Sequence, residues 1–310
     1  MVFIPYKLDV SLYRVPYLTI LVCLVSLATF MSQLKSDAAY ERKATAYCTR
    51  ALEPNLAAIL RSVADAGDTR NACITVYLRL RNSPEPEPVI AEMAGAARSQ
   101  VFYRDREQNL NYLRSKLSRG FADFEAQVPK PLTETLQYNP LQYSFLRMIS
   151  SAFAHADWEH LLGNLFFFFI FASAVESALG SMHFAVSIVL MAVVSSLAYS
   201  YSVVAGNALP SIGLSGVAMG MMALLTTLLP RARIWCLFWF LLWVRRFSIP
   251  VMWVSLWFLG WNVYDLNHDD GSSNIDYMAH VSGALAGIVL GVLYRLFSPT
   301  RLNGLSMNTA

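Results

Sequence analysis

The stretch Tyr277-Met278-Ala279-His280-Val281-Ser282-Gly283-Ala284-Leu285-Ala286-Gly287-Ile288-Val289-Leu290-Gly291 decides what kind of molecule this is. With the apolar residues that follow, up to Phe297, it is long enough to cross about 30 Å of hydrocarbon as a helix. Gly283, Gly287 and Gly291 recur at spacing four, on the stripe that also carries His280. One face of a membrane helix therefore holds a titratable ring and three positions without side chains, where a neighbouring backbone can come close. An ionisable group inside a span is costly, and such groups mark functional sites.

Working outward, apolar runs of spanning or near-spanning length also lie at residues 15–31, 161–175, 184–205, 212–229 and 249–263. The composition agrees: 55% of residues are hydrophobic, 15% are charged and the mean hydropathy is +0.41, which points away from a soluble globule. The expected fold class is an all-α membrane protein, a bundle of six transmembrane helices. The net charge of +3 is small and the basic residues flank apolar runs, which excludes a dedicated nucleic-acid surface. Lys7 and Arg14 ahead of the first run look like the start of a signal peptide. No small-residue cleavage site follows Thr29-Phe30-Met31-Ser32-Gln33, so the run is expected to stay as an anchor.

Six spans that start inside place Lys7, Arg14, Arg231, Arg233, Arg245, Arg246, Arg295 and Arg301 in short inside segments, and leave the short outside loops without basic residues. That asymmetry fits the positive-inside rule and makes both termini cytoplasmic. Residues 234–244, IWCLFWFLLWV, are apolar but short, and arginines bracket them, so they are expected in the interface rather than across the bilayer.

Residues 34–142 form a polar region of domain size, placed outside between the first and second helices. Residues 38–63 read as helix, Ile74, Val76, Leu78 and Leu80 alternate as in a strand, and residues 89–124 read as helix again. Ser83-Pro84-Glu85-Pro86-Glu87-Pro88 marks a stiff break. The expectation is a mixed, mostly helical extramembrane domain. Cys48 and Cys73 are either a disulfide of an oxidising compartment or two core residues, and Cys23 and Cys236 are expected to pack inertly. The chain thus divides into residues 1–33 with the first span, the extracytoplasmic domain 34–142, the membrane core 143–297 and a cytoplasmic tail 298–310.

Four polar groups converge at one depth. His160 and Asn164 stand one turn apart at the outer end of the second helix, Ser215 near the start of the fourth, and His280 near the start of the sixth. The fourth and sixth helices are separated by one span and run in the same direction, so Ser215 and His280 share the outer side. Gly213, Gly216 and Gly220 around Ser215, with Gly283, Gly287 and Gly291, allow the close packing that a serine–imidazole hydrogen bond between two helices needs. Ser215 follows Pro210 where a loop enters a helix, which puts first-turn N–H groups near a developing oxyanion. Asn164 and His160 can add side-chain donors. The plainer reading of Ser215 alone is a packing residue, of His155 a loop stabiliser, and of Glu176 a cap or partner at the inner boundary.

Gly213-Leu214-Ser215-Gly216, Ala279-His280 with Gly283, Gly287 and Gly291, and His160-Leu161-Leu162-Gly163-Asn164 together resemble the signature motifs of the rhomboid intramembrane serine proteases, in that family's order. Ala174-Val175-Glu176 with Leu179-Gly180 resembles the inner end of the family's second helix, and the opening Ile4-Pro5-Tyr6 with Arg14-Val15-Pro16-Tyr17 is similar to its usual approach to the first span. The chain departs from the family in having Met219 where an aromatic is common, Leu146-Arg147 where many relatives have tryptophan-arginine, and a longer first outside segment. The resemblance implies a serine endopeptidase that cleaves transmembrane segments through a Ser215–His280 dyad and an acyl-enzyme. Asn164, His160 and the Ser215 amide would hold the oxyanion, and no cofactor or metal is implied. Ser211 and Ser150 would wet the route of the hydrolytic water.

The implied partners are transmembrane protein substrates, the lipid bilayer and a possible ligand of the domain 34–142, and the expected location is a bacterial inner membrane. By the same analogy the second and fifth helices, with Phe166 to Phe169 and Trp253, Trp257, Phe258 and Trp261, form a side opening for substrate. Asp265, Asp269, Asp270 and Asp276 read as a solvated loop, made flexible by Gly271-Ser272-Ser273, that doubles as a lid over the site. An aspartyl protease is set aside because Tyr264-Asp265 has no second intramembrane aspartate. A zinc enzyme is set aside because His155 and His160 lack the His-Glu-x-x-His spacing. The alternative of a different class is a non-catalytic relative that binds membrane helices.

Overall fold

The computed structural model describes residues 2–10, 14–83, 85–203, 209–240, 243–269, 273 and 275–297. In chain order the elements are β1 (Val2–Leu8), α1 (Tyr17–Thr49), α2 (Pro54–Ala64), α3 (Thr69–Asn82), α4 (Pro86–Ala96), α5 (Arg106–Gln127), α6 (Leu132–Leu136), α7 (Phe145–Ser150), α8 (Trp158–Leu179), α9 (Ser181–Ser202), α10 (Ser215–Leu228), β2 (Arg233–Phe240), β3 (Trp243–Pro250), α11 (Val251–His268) and α12 (Tyr277–Phe297). They fold as two compact units: the described residues of Met1–Ser32 with Leu136–Ala310, and those of Gln33–Thr135.

In the first unit, four helices are long and apolar enough among the described residues to cross a membrane: α1, α8, α9 and α12. The protein is a membrane protein. The two further apolar runs expected to span are shorter helices, α10 with 14 residues and α11 with 18. α10 is the central element and packs against α8, α9, α11 and α12. Val217, Met221, Leu224, Leu225 and Leu228 of α10 are buried in a core with Phe168, Phe171 and Val175 of α8 and Phe184, Ile188 and Met191 of α9.

Caps fix where these helices begin. The Asp157 carboxylate accepts from the His160 N–H at 2.7 Å and starts α8, and Asp276 accepts from the Ala279 N–H at 2.9 Å and starts α12. Glu176 is buried and accepts from the N–H groups of Leu18 and Thr19 at 3.0 and 2.8 Å and from the Thr19 hydroxyl at 2.8 Å. It therefore caps the start of α1, satisfying donors that a helix end leaves without intrahelical acceptors.

The all-α expectation is corrected by a three-stranded antiparallel sheet of order β1-β2-β3. The described residues of 234–244 are strand. They supply most of β2 and the start of β3, with Cys236 opposite Phe247 across the hairpin and Ile4 opposite Leu237 on β1. The physical reason is a period of two: Ala232, Ile234 and Cys236 are buried while Arg231, Arg233 and Trp235 are exposed. The fifth helix consequently starts at Val251, two residues after the start of the apolar run.

The second unit has helices and no strand among its described residues, which corrects the strand expected at Ile74 to Leu80. Those residues lie in α3. Ala72, Cys73, Val76, Tyr77 and Leu80 are its buried apolar residues, and Cys73, Val76, Tyr77 and Leu80, at i, i+3, i+4 and i+7, form a helix face. The Asp68 carboxylate, accepting from the N–H groups of Arg70 and Asn71, caps it. The proline-rich break is narrower than expected, because Pro86 opens α4, where its missing N–H has no acceptor to lose. Cys48 and Cys73 are joined in a disulfide across 5.7 Å between Cα atoms. Tyr47, Tyr77 and Phe124 pack beside it, with ring centroids 5.0 to 6.1 Å apart.

Candidate active site

The contact between α10 and α12 is the closest approach of two helices that the glycines permit. A Cβ added to Gly283 would clash with the carbonyl oxygen of Gly216, and one added to Gly287 with that of Gly220. On the reciprocal face, a Cβ at Gly220 would stand 2.9 Å from the carbonyl oxygen of Gly283. Backbone rests on backbone here, and this closeness brings the first residue of α10 to the first turn of α12. His280 Nε2 lies 2.7 Å from Ser215 Oγ.

The loop ahead of α10 is pinned from three directions. Tyr138 and Ser211 exchange backbone hydrogen bonds at 3.0 and 2.9 Å, the Gly213 N–H donates to Ser151 O at 2.9 Å, and the Ser211 hydroxyl donates to Asp276 Oδ2 at 2.8 Å. The last bond ties the approach to α10 to the cap of α12. Burial pushes the Asp276 carboxyl up to about 6, against the pull of the Ala279 N–H and the Ser211 hydroxyl. Asp276 is thus a cap inside the site rather than the solvated loop residue expected. Ser211 is engaged with it, and Ser150 donates to Leu136 O at 3.0 Å. Asp270, Gly271 and Ser272 of the expected lid lie outside the described residues, as does the tail 298–310.

Gly213 has φ +123°, a conformation open to glycine and strained for other residues. A Cβ there would also stand 2.7 Å from His160 Nε2 and 3.3 Å from Asn164 Nδ2. The two α8 side chains therefore lie over the backbone two residues before Ser215. Asn164 is 9% exposed, and its Nδ2 has no hydrogen-bond partner among the described residues, so a donor stands ready beside the serine. His155 is buried next to them, its ring 5.2 Å from that of His160 and Nδ1 3.3 Å from Phe153 O. Ser215, His280, His160, Asn164 and Asp276 all line one cavity of about 540 Å³.

One residue at the site was passed over in the sequence. Asn262 on α11 places Oδ1 2.6 Å from His280 Nδ1, and its Nδ2 donates to Phe258 O at 2.8 Å. The signal was available: an amide within an otherwise apolar, helix-forming run. Phe258, one turn earlier, packs edge-on against Phe167 of α8 with centroids 5.1 Å apart. Trp253, Trp257 and Trp261 are exposed along the same helix.

The family model described as "Rhomboid domain" matches residues 142–297. The chain is 32% identical over 157 residues to "Rhomboid-like protein 11, chloroplastic" of Arabidopsis thaliana, covering 49% of this chain and 52% of that protein. It is 30% identical over 201 residues to "Rhomboid protein 1, mitochondrial" of Saccharomyces cerevisiae, covering 62% and 55%. It is 29% identical over 149 residues to "Presenilin-associated rhomboid-like protein, mitochondrial" of Mus musculus, covering 46% and 36%. The match spans about half the length of the first two relatives. The names of these three place them in organelles, so the bacterial inner membrane expected above has no counterpart among them.

Proposed function

The chain belongs to the rhomboid family, and on that premise we propose that it is an intramembrane serine endopeptidase, with Ser215 as nucleophile and His280 as base. The observation that carries this reading is the 2.7 Å separation of Ser215 Oγ and His280 Nε2, within reach of a hydrogen bond that readies a serine for attack. The Ser215 hydroxyl donates to Nε2. As Oγ bonds to the scissile carbonyl carbon, its proton passes to Nε2 and negative charge gathers on the carbonyl oxygen. Asn164 Nδ2, His160 and the Ser215 N–H at the start of α10 are the donors that meet this charge. His280 then gives the proton to the leaving amine, and water, activated by the same ring, hydrolyses the acyl-enzyme.

The arrangement also suits a membrane substrate. α10, α11 and the four long helices make six crossings in this reading. At about 1.5 Å per residue the 14-residue α10 spans only about 21 Å against about 30 Å of hydrocarbon. Its N-terminus is therefore recessed, and the cavity above it admits water below the lipid surface. Both termini and the β2–β3 hairpin face the opposite side, where the arginines gather. A transmembrane segment reaches the serine by parting Phe167 of α8 from Phe258 of α11. Segments whose helix is weak and whose residues at the cut are small fit best, since an extended peptide must enter.

The test is cleavage of a transmembrane substrate by the full chain in lipid, with product masses, beside Ser215→Ala and His280→Ala. Loss of product in both variants, and fluorophosphonate labelling that disappears in Ser215→Ala, supports the dyad. Equal product from all three chains would refute it, and no product from the parent would favour a binding role.

A further inference from the structure

We propose that Asn262 is the positioning residue of the pair, holding the His280 ring in the one tautomer that can accept the serine proton. The inference rests on the reading of Ser215 and His280 as nucleophile and base. A neutral imidazole carries one N–H, and the hydrogen bond made by one nitrogen decides the state of the other. The atom of Asn262 that faces Nδ1, at 2.6 Å, is Oδ1. Its orientation is fixed by Nδ2, which donates to Phe258 O at 2.8 Å. Turning the amide over would set a carbonyl oxygen against a carbonyl oxygen, and neither can donate. Oδ1 can therefore only accept, Nδ1 must carry the hydrogen, and Nε2 presents its lone pair to Ser215 Oγ at 2.7 Å.

In the other tautomer Nε2–H would point at the serine oxygen and could not take its proton. During attack the proton moves from Oγ to Nε2, the ring becomes an imidazolium, and the Nδ1–H stays on Oδ1. Asn262 touches no reacting atom. It orients the ring as the third member of a triad does, but as a neutral amide borne on a separate helix. The placement is specific to the outer half of α11. The buried residues of that helix are Val251, Val254 and Ser255 near its other end, where the Ser255 hydroxyl is bonded to Thr226 of α10 at 2.6 Å.

The experiment compares Asn262→Leu and Asn262→Asp with the parent in lipid, reading kcat and KM on a transmembrane substrate and the His280 tautomer by nitrogen-15 NMR of the imidazoles. His280→Ala identifies the signal among the five histidines. Asn262→Leu should lower kcat by about 10- to 100-fold with KM little changed, and move the His280 signal away from the Nδ1–H form. Asn262→Asp keeps the acceptor and should restore kcat, and because a carboxylate favours the imidazolium, the acid limb of the rate should move to higher pH. If the leucine variant does not fold, Asn262→Ala carries the same expectation. An unchanged tautomer and kcat in the leucine or alanine variant would overturn the proposal. If the parent cleaves nothing, the tautomer comparison still decides the role of Asn262, while Ser215→Ala and His280→Ala decide the chemistry.

Discussion

Adding one methyl group at Gly283 should separate folding from chemistry. A Cβ there would clash with the carbonyl oxygen of Gly216 and stand 2.9 Å from its carbonyl carbon. Non-bonded carbon atoms prefer about 3.5–4.0 Å, and both neighbours are backbone, so no side chain can swing aside. α12 has to retreat from α10 by roughly 1 Å. Because His280 rides on α12, one turn before Gly283, its 2.7 Å bond to Ser215 would lengthen to roughly 3.7 Å, beyond the usual hydrogen-bond range. A displacement of about 1 Å costs a catalytic constellation about 100-fold in rate, whereas overpacking of this kind costs about 1–3 kcal/mol of stability. Gly283→Ala is therefore expected to fold, with a lowered Tm, and to lose about 100-fold in kcat/KM. Gly260→Ala on α11 is the control, since nothing lies within 4 Å of its Cβ position, and it should match the parent. Cleavage rates and fluorophosphonate labelling in lipid, with Tm on the same samples, check both. A folded Gly283→Ala chain within about 3-fold of the parent in rate and labelling would refute the view that this glycine contact sets the dyad distance.

Three further outcomes follow from particular contacts. Asn164→Ala removes the free Nδ2 beside Gly213 and should lower kcat by about 10²- to 10³-fold with KM nearly unchanged; single-turnover cleavage measures it, and an unaltered kcat would take Asn164 out of the oxyanion site. Reducing the Cys48–Cys73 disulfide, or replacing both residues by serine, opens a link of sequence separation 25 and should destabilise the unit Gln33–Thr135 by about 3.5 kcal/mol; denaturant melts with and without reductant report this, and coincident melts would contradict it. Asp276 has its pKa raised from 3.8 to about 6, so it binds its proton more tightly folded than unfolded. Its contribution to stability is full below the lower value and is lost as pH rises through the upper one. Asp276→Asn keeps an oxygen for the Ala279 N–H and removes that slope, so Tm of the variant minus Tm of the parent should climb from pH 4 to 7 and then level off. A difference that does not change with pH would sink the argument.

The helices were legible because a spanning helix is a local property: the run at residues 277–297 coincides with α12, and α8 and α9 lie where apolar runs stand. The Ser215–His280 meeting was legible for a topological reason. In the expected order of six runs the fourth and sixth are separated by one and so run parallel, and glycines at spacing four show which faces can touch. The sheet was not legible. β1 carries Pro5, which argues against a strand, and its partner lies more than 220 residues away, between Ile4 and Leu237 for example. In residues 234–240 the exposed positions include Trp235, so apolar content hid the alternation. At α3 the alternating aliphatics Ile74, Val76, Leu78 and Leu80 pointed to a strand, but Cys73 and Tyr77 complete a helical stripe, and counting all the buried residues would have decided it.

Asn262 shows where sequence reading reaches its limit at the site. The first-turn position of Ser215, the stripe of His280 and the one-turn spacing of His160 and Asn164 are each features of one segment, so each can be read from a few adjacent residues. The state of the His280 ring depends instead on a third helix whose rotation about its own axis no local pattern states. α11 has aromatics all along it, and its apolar periodicity does not single out the face that bears Asn262. What fixes that face is contact with α10 and α12: the Ser255 hydroxyl on Thr226 at one end and the Asn262 amide on His280 at the other. A helix held by two polar contacts inside an apolar medium has a defined rotation, because breaking either one strands part-buried polar groups. The rotational register of α11 and the tautomer of His280 are therefore coupled through one contact. Any change that turns α11 should alter catalysis before it alters the fold.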